Sequence, residues 1–115
     1  MEEKLKEIDS NNEFEGKTAF IAGGSTGIGF AMAQAFGHLG MNIVLADEES
    51  RYLQEAVEKL RTENIQIEGV LTDVSNSASL REAAENAKHL FGRVHIVCNY
   101  AGTKLRPSQF FMQQP

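Results

Sequence analysis

Three times in succession a short apolar run, closed by turn residues, leads into an amphipathic helical stretch, and a fourth apolar run comes after them. This alternation restricts the fold more than any single motif. Ala19-Phe20-Ile21-Ala22 begins the series in a strand read from Thr18 to Ala22 and stops at Gly23-Gly24; a short run with β-branched content that ends so abruptly reads as a buried parallel strand. Ile28, Ala31, Met32, Ala35, Phe36 and Leu39 then recur at helical spacing until Gly40, a C-cap residue. A second strand spans 42–47 and ends in Asp47, and Leu53, Ala56, Val57 and Leu60 mark a second helix that frays by Asn64. The third strand is read over 65–71. Asp73 to Ser77 supplies turn and cap chemistry, and Leu80, Ala83, Ala84, Ala87 and Leu90 trace a third helix that ends at Gly92. Val94 to Asn99 forms the fourth strand, closed by Ala101-Gly102. Strands alternating with helices imply right-handed crossovers and an α/β fold with a doubly wound parallel sheet. In the order 3-2-1-4 the chain reverses direction between strands one and four, and ligands bind such sheets in the crevice at that point.

Both glycine turns land on this crevice. Gly23, Gly27 and Gly29 are spaced Gly-x-x-x-Gly-x-Gly between a strand and a helix. Gly23 suits a tight turn, Gly27 lets the main chain approach a pyrophosphate, and Gly29 lets the helix pack close to the sheet. With Ser25, Thr26 and Ile28 they form a candidate phosphate loop whose helix-start amides face an anion. A glycine triplet alone is a weak signal; its strand-turn-helix setting strengthens it. Asp47 lies beyond the loop at the spacing where dinucleotide folds place an acid on the adenosine ribose hydroxyls. No Arg or Lys sits beside Asp47, and Thr26 holds the position where a base would neutralise a 2'-phosphate. This pattern favours NAD over NADP. The plain alternative, a negative cluster at a helix N-terminus worth a few tenths of a kcal/mol each, is assigned to Glu48 and Glu49.

Over roughly residues 16 to 102 the sequence resembles the N-terminal half of the classical short-chain dehydrogenase/reductase family. Three motifs carry the likeness in order: Ala22 to Gly29, similar to the family's Thr-Gly-x-x-x-Gly-Ile-Gly; Asp73-Val74 after the third strand; and Asn99-Tyr100-Ala101-Gly102 at the end of the fourth. The resemblance implies a Rossmann-like fold, here a partial one of four strands and three helices. It also implies an adenine contact for Asp73 and Val74, and a role for Asn99, Ala101 and Gly102 in steadying the central sheet beside the cofactor. Ala22 departs from the pattern, removing a threonine hydroxyl that would tie the glycine turn to the fourth-strand motif. The family's catalytic serine and helical Tyr-x-x-x-Lys pair lie well beyond the fourth strand, so no catalytic residue is assigned. Tyr100 and Lys104 do spell Tyr-x-x-x-Lys, but on a glycine-containing turn, where the helical spacing that lets an ammonium lower a phenol's pKa is missing. It is read as a decoy.

Charge and composition remove other classes. A net charge of -5 lacks the basic footprint of a nucleic-acid or anionic-membrane binder. No apolar run approaches the roughly 18 residues of a membrane span, and the opening Met1 to Glu7 is too acidic for a targeting peptide, so a cytoplasmic protein is expected. A single cysteine, Cys98, excludes an internal disulfide and a multi-cysteine metal site, and none of His38, His89 and His95 joins a ligand cluster. Phe20, Phe36 and Phe91 are read as core, and Phe110-Phe111-Met112 as a loop or apolar tail. The expected organisation is a polar lead-in over 1–15, a dinucleotide-binding half-domain over 16–102 and a loop or tail over 103–115. Its expected function is to bind NAD within an oxidoreductase that exchanges hydride with an alcohol or carbonyl. The rival is a catalytically silent nucleotide-binding or interaction protein. The substrate is not readable, and a homo-oligomer is left open, because the helices through which the family commonly dimerises lie C-terminal to this stretch.

Overall fold

The computed structural model describes residues 13–100. Most of the lead-in, Ala101, Gly102, Lys104 and the 103–115 tail lie outside the described residues. The elements are β1 (Thr18–Ala22), α1 (Gly27–His38), β2 (Asn42–Asp47), α2 (Ser50–Arg61), β3 (Ile67–Leu71), α3 (Ser77–Phe91) and β4 (Ile96–Asn99). Four parallel strands lie in the order β3-β2-β1-β4, the order read from the sequence.

Alternation along the strands divides the core in two. Ala19 and Ile21 of β1, Ile43 and Leu45 of β2 and Ile67 of β3 face α1 and α2. Phe20, Ala22, Val44 and Ala46 face α3 through Ala83 and Ala87. Because β1 and β2 are covered on both faces, their apolar runs are nearly unbroken. Asn76 caps α3, its side-chain oxygen accepting from Ser79 N at 3.0 Å, as the turn chemistry before that helix anticipates.

Four expectations need correction. The strands read from Ile65 and Val94 begin two residues later. Ile65 is buried, but Asn64 adopts φ 63 to close the α2–β3 turn, and ladder pairing starts at Ile67. Similarly, β4 pairs from Ile96, opposite Ala19, while His95 stands just before it with Nδ1 accepting from Thr18 N at 3.1 Å. The buried stripe of α1 is also rotated by about one residue. Gly29 and Ala33 meet the core with Phe30, Met32 and Phe36 alongside, whereas Ala31 and Ala35 are exposed and Ile28 is 61% exposed. Small residues bring the helix axis close to the sheet, but they contribute little to a hydrophobic pattern. Leu90, expected on the buried face of α3, is half-exposed, and Phe91 packs in its place.

The rotated stripe has a direct test in urea unfolding. Ala33→Leu overpacks the α1–sheet contact and lowers stability by about 1–3 kcal/mol. Ile28→Ala removes a side chain that faces outward and shifts stability by no more than about 0.5 kcal/mol. The reverse ranking would put the buried face of α1 back where its hydrophobic periodicity points.

Candidate functional site

The carboxyl ends of β1, β2 and β4 converge on the loop that joins β1 to α1. Gly23 leaves β1 with φ 74, and its amide donates to Ala46 O of the neighbouring strand at 2.7 Å. Two residues on, Ser25 N donates to Asp47 Oδ2 at 3.3 Å. Thr26 is exposed, takes an extended conformation before α1 and makes no side-chain cap bond. The first amides of a helix have no intrahelical acceptors and must be satisfied from outside.

Different constraints apply at the two later motif glycines. Gly27 sits at φ 63, and a Cβ there would meet nothing within 4 Å, so the backbone conformation demands glycine while the space beside it stays open. At Gly29 a Cβ would lie 2.6 Å from Gly23 O, so here glycine permits helix and turn to touch. Sequence spacing missed Gly24, where a Cβ would collide with Leu45 and Ile21. Ser25 is 7% exposed, and its hydroxyl oxygen is buried without a hydrogen-bond partner. Its type gave no hint of this; only the folded loop reveals a buried polar atom with its bonding capacity unspent.

Asp47 ends β2 with 1% exposure. Its Oδ1 accepts from Glu48 N at 2.7 Å and Glu49 N at 3.4 Å, so the carboxylate joins the start of α2 as well as the glycine loop. Glu48 and Glu49 are exposed. The first base after them, Arg51, is turned to Glu55 at 3.4 Å.

The remaining site candidates separate by burial. Asp73 is exposed, and its carboxyl is held below the usual range by the Ser75 hydroxyl and then by the Ser75 amide, both bonded to Oδ1. Val74 is buried in the core beneath α3. Asn99 closes β4 opposite Ala22, and Tyr100 N donates to Ala22 O at 2.8 Å. A main-chain bond thus joins the glycine turn to the fourth-strand motif where the threonine hydroxyl is missing. The Tyr100 phenol is bonded to the Cys98 thiol, and burial, reinforced by that thiol, pushes its pKa up. Burial likewise pushes the Cys98 thiol up, against the Tyr100 bond, consistent with an inert packed side chain. Among the described residues no group of three or more His, Cys, Asp or Glu side chains is placed to hold a metal ion, and no helix is long and apolar enough to cross a membrane.

Comparison with known proteins agrees with this architecture. A family model described as short chain dehydrogenase matches residues 17–114. Tropinone reductase-like 3 of Erythroxylum coca is 32% identical over 99 residues, covering 86% of this chain and 38% of that protein. The 2,3-dihydro-2,3-dihydroxybenzoate dehydrogenase of Bacillus subtilis is 36% identical over 93 residues, 81% of this chain and 35% of its own length. Among solved structures, a short chain dehydrogenase/reductase from Burkholderia phymatum in complex with NAD superposes with a TM-score of 0.71 at 42% identity. That match covers 74% of this chain and 30% of the other. The chain therefore spans between 30% and 38% of the length of these proteins. With its parallel 3-2-1-4 sheet, its glycine turn and a family match over most of its length, the chain belongs to the short-chain dehydrogenase/reductase family.

Proposed function

We propose that this chain is the dinucleotide-binding part of an NAD(H)-dependent oxidoreductase that exchanges hydride between nicotinamide and an alcohol or carbonyl. The observation that carries the reading is the buried, partnerless Ser25 hydroxyl in a loop whose Gly27 leaves open space. A pyrophosphate suits that donor set: the Ser25 hydroxyl has its bonding capacity unspent, the first amides of α1 lack intrahelical acceptors, and the helix dipole favours the negative charge. Bound NAD would supply the hydride acceptor. This chain's residues hold and orient it. By family likeness, Asp73 and Val74 are assigned the adenine contact, and Asn99, Ala101 and Gly102 the steadying of the central sheet beside the cofactor. No proton transfer is assigned to Tyr100, whose phenol faces Cys98.

Preference for NAD over NADP rests on the acids at the end of β2. A 2'-phosphate placed there would meet Asp47, with Glu48 and Glu49 next to it, and the nearest base after them is committed to Glu55. By calorimetry, NADH binds more tightly than NADPH by about tenfold or more, which corresponds to about 1.4 kcal/mol. Equal or reversed affinities would sink the NAD assignment.

Gly27→Val tests the phosphate cradle itself. A branched side chain at positive φ costs about 1–2 kcal/mol of local strain and fills the open space beside the loop. Dinucleotide binding is lost while far-UV circular dichroism keeps its helical signal. A variant that binds NADH like the wild type would mean that the loop does not cradle phosphate.

A further inference from the structure

We infer that Asp47 is a positioning residue, whose carboxylate holds the glycine loop in its binding shape before any dinucleotide arrives. The inference rests on the cofactor reading above and adds a second role to the acid assigned to the ribose.

The geometry joins two loops through one side chain. Asp47 Oδ2 accepts from Ser25 N, in the loop between β1 and α1. Oδ1 accepts from Glu48 N and Glu49 N, in the turn between β2 and α2. Gly23 is tied to the sheet through Ala46 O, Gly24 packs against Leu45 and Ile21, and the Ser25 amide then anchors the loop to the carboxylate. Fixing Ser25 N fixes the peptide on which the buried Ser25 hydroxyl is carried, and it sets the entry to Gly27 and α1. A pocket whose donors are already aimed pays less ordering cost when its ligand arrives.

The chemistry requires a carboxylate rather than any polar group of that shape. A carboxylate is acceptor-only on both oxygens, and at 1% exposure it must find donors. Three backbone amides point at it. An asparagine offers one oxygen and an NH2, so one loop or the other would face a donor with a donor. Loop order and cofactor choice therefore share one residue. Removing Asp47 should not simply open the site to NADP, because the change that relieves repulsion of the extra phosphate also releases the cradle for the common pyrophosphate.

The test compares the full chain with its Asp47→Asn variant, first without ligand and then with NADH and NADPH. In ligand-free wild type, amide hydrogen exchange shows Ser25 protected by a factor of about ten or more. A Ser25 amide exchanging at its unprotected rate overturns the proposal without any variant. In Asp47→Asn, Ser25 protection falls about tenfold while Phe20 and Val44 stay protected, and affinity falls for both NADH and NADPH. Unchanged Ser25 protection overturns the proposal, as does lost protection with NADPH bound as well as before, since binding would then not use the held loop. A wild type that binds neither dinucleotide removes the cofactor reading and the positioning role with it, whereas reversed preference with Ser25 protected removes only the ribose assignment.

Discussion

Everything at the candidate site is placed by β1. It lies between β2 and β4 with helices on both faces, and all five of its side chains are buried. A strand in that position has no solvent face, so Ala19, Phe20, Ile21 and Ala22 must all pack, each large one contributing roughly 1.5–3 kcal/mol by burial. The same crowding decides the path of the chain beyond the strand. The chain has to leave the sheet at Gly23 and turn back over it as a helix, and α1 passes close enough that Gly29 touches the turn it has just left. The close meeting of glycine turn and helix start is thus a product of how tightly the central strand is enclosed, and neither the loop nor the helix could form it alone.

Much of this was legible because the alternation of apolar runs and helical periodicity is itself a physical record of burial. Where both faces of a strand are covered the run is continuous, and β1 and β2 begin and end as the sequence indicates. The reading failed where burial and pairing part company. Ile65 is buried yet belongs to the turn, and Val94 packs beneath α3 before β4 pairs with β1. In α1 the contact is made by Gly29 and Ala33, whose small size creates the approach while their weak hydropathy hides it.

The site was legible in its residue types and not in its bonding. Spacing alone singles out Gly23, Gly27, Gly29 and Asp47, since a tight turn, a positive φ, a helix contact and a strand-end acid each demand a restricted set of residues. Spacing cannot show that Ser25 buries its hydroxyl while giving its amide to Asp47, because both depend on a neighbouring strand meeting the loop at hydrogen-bond distance. Nor can it tell that Val74, one residue from exposed Asp73, serves the core. Tyr100 shows the converse. Its motif suggests chemistry, but its position after β4 directs the phenol to Cys98.

The two ends of the sheet are held by different kinds of interaction. At the end opposite the glycine loop, Glu63 gathers Gln34 at 3.0 Å, His38 at 2.8 Å and Lys59 at 3.2 Å, tying α1 and α2 to the turn before β3. The Gln34 bond, supported by Lys59 and His38, holds its carboxyl below the usual range against the desolvation that opposes it. These are side-chain contacts near solvent, individually worth little and open to replacement. At the ligand end the corresponding acid, Asp47, is buried and bonded to backbone amides, which no change in neighbouring side-chain type can substitute. The fold therefore has room to vary at the Glu63 end, while at the other end one buried carboxylate ties the glycine loop to the start of α2.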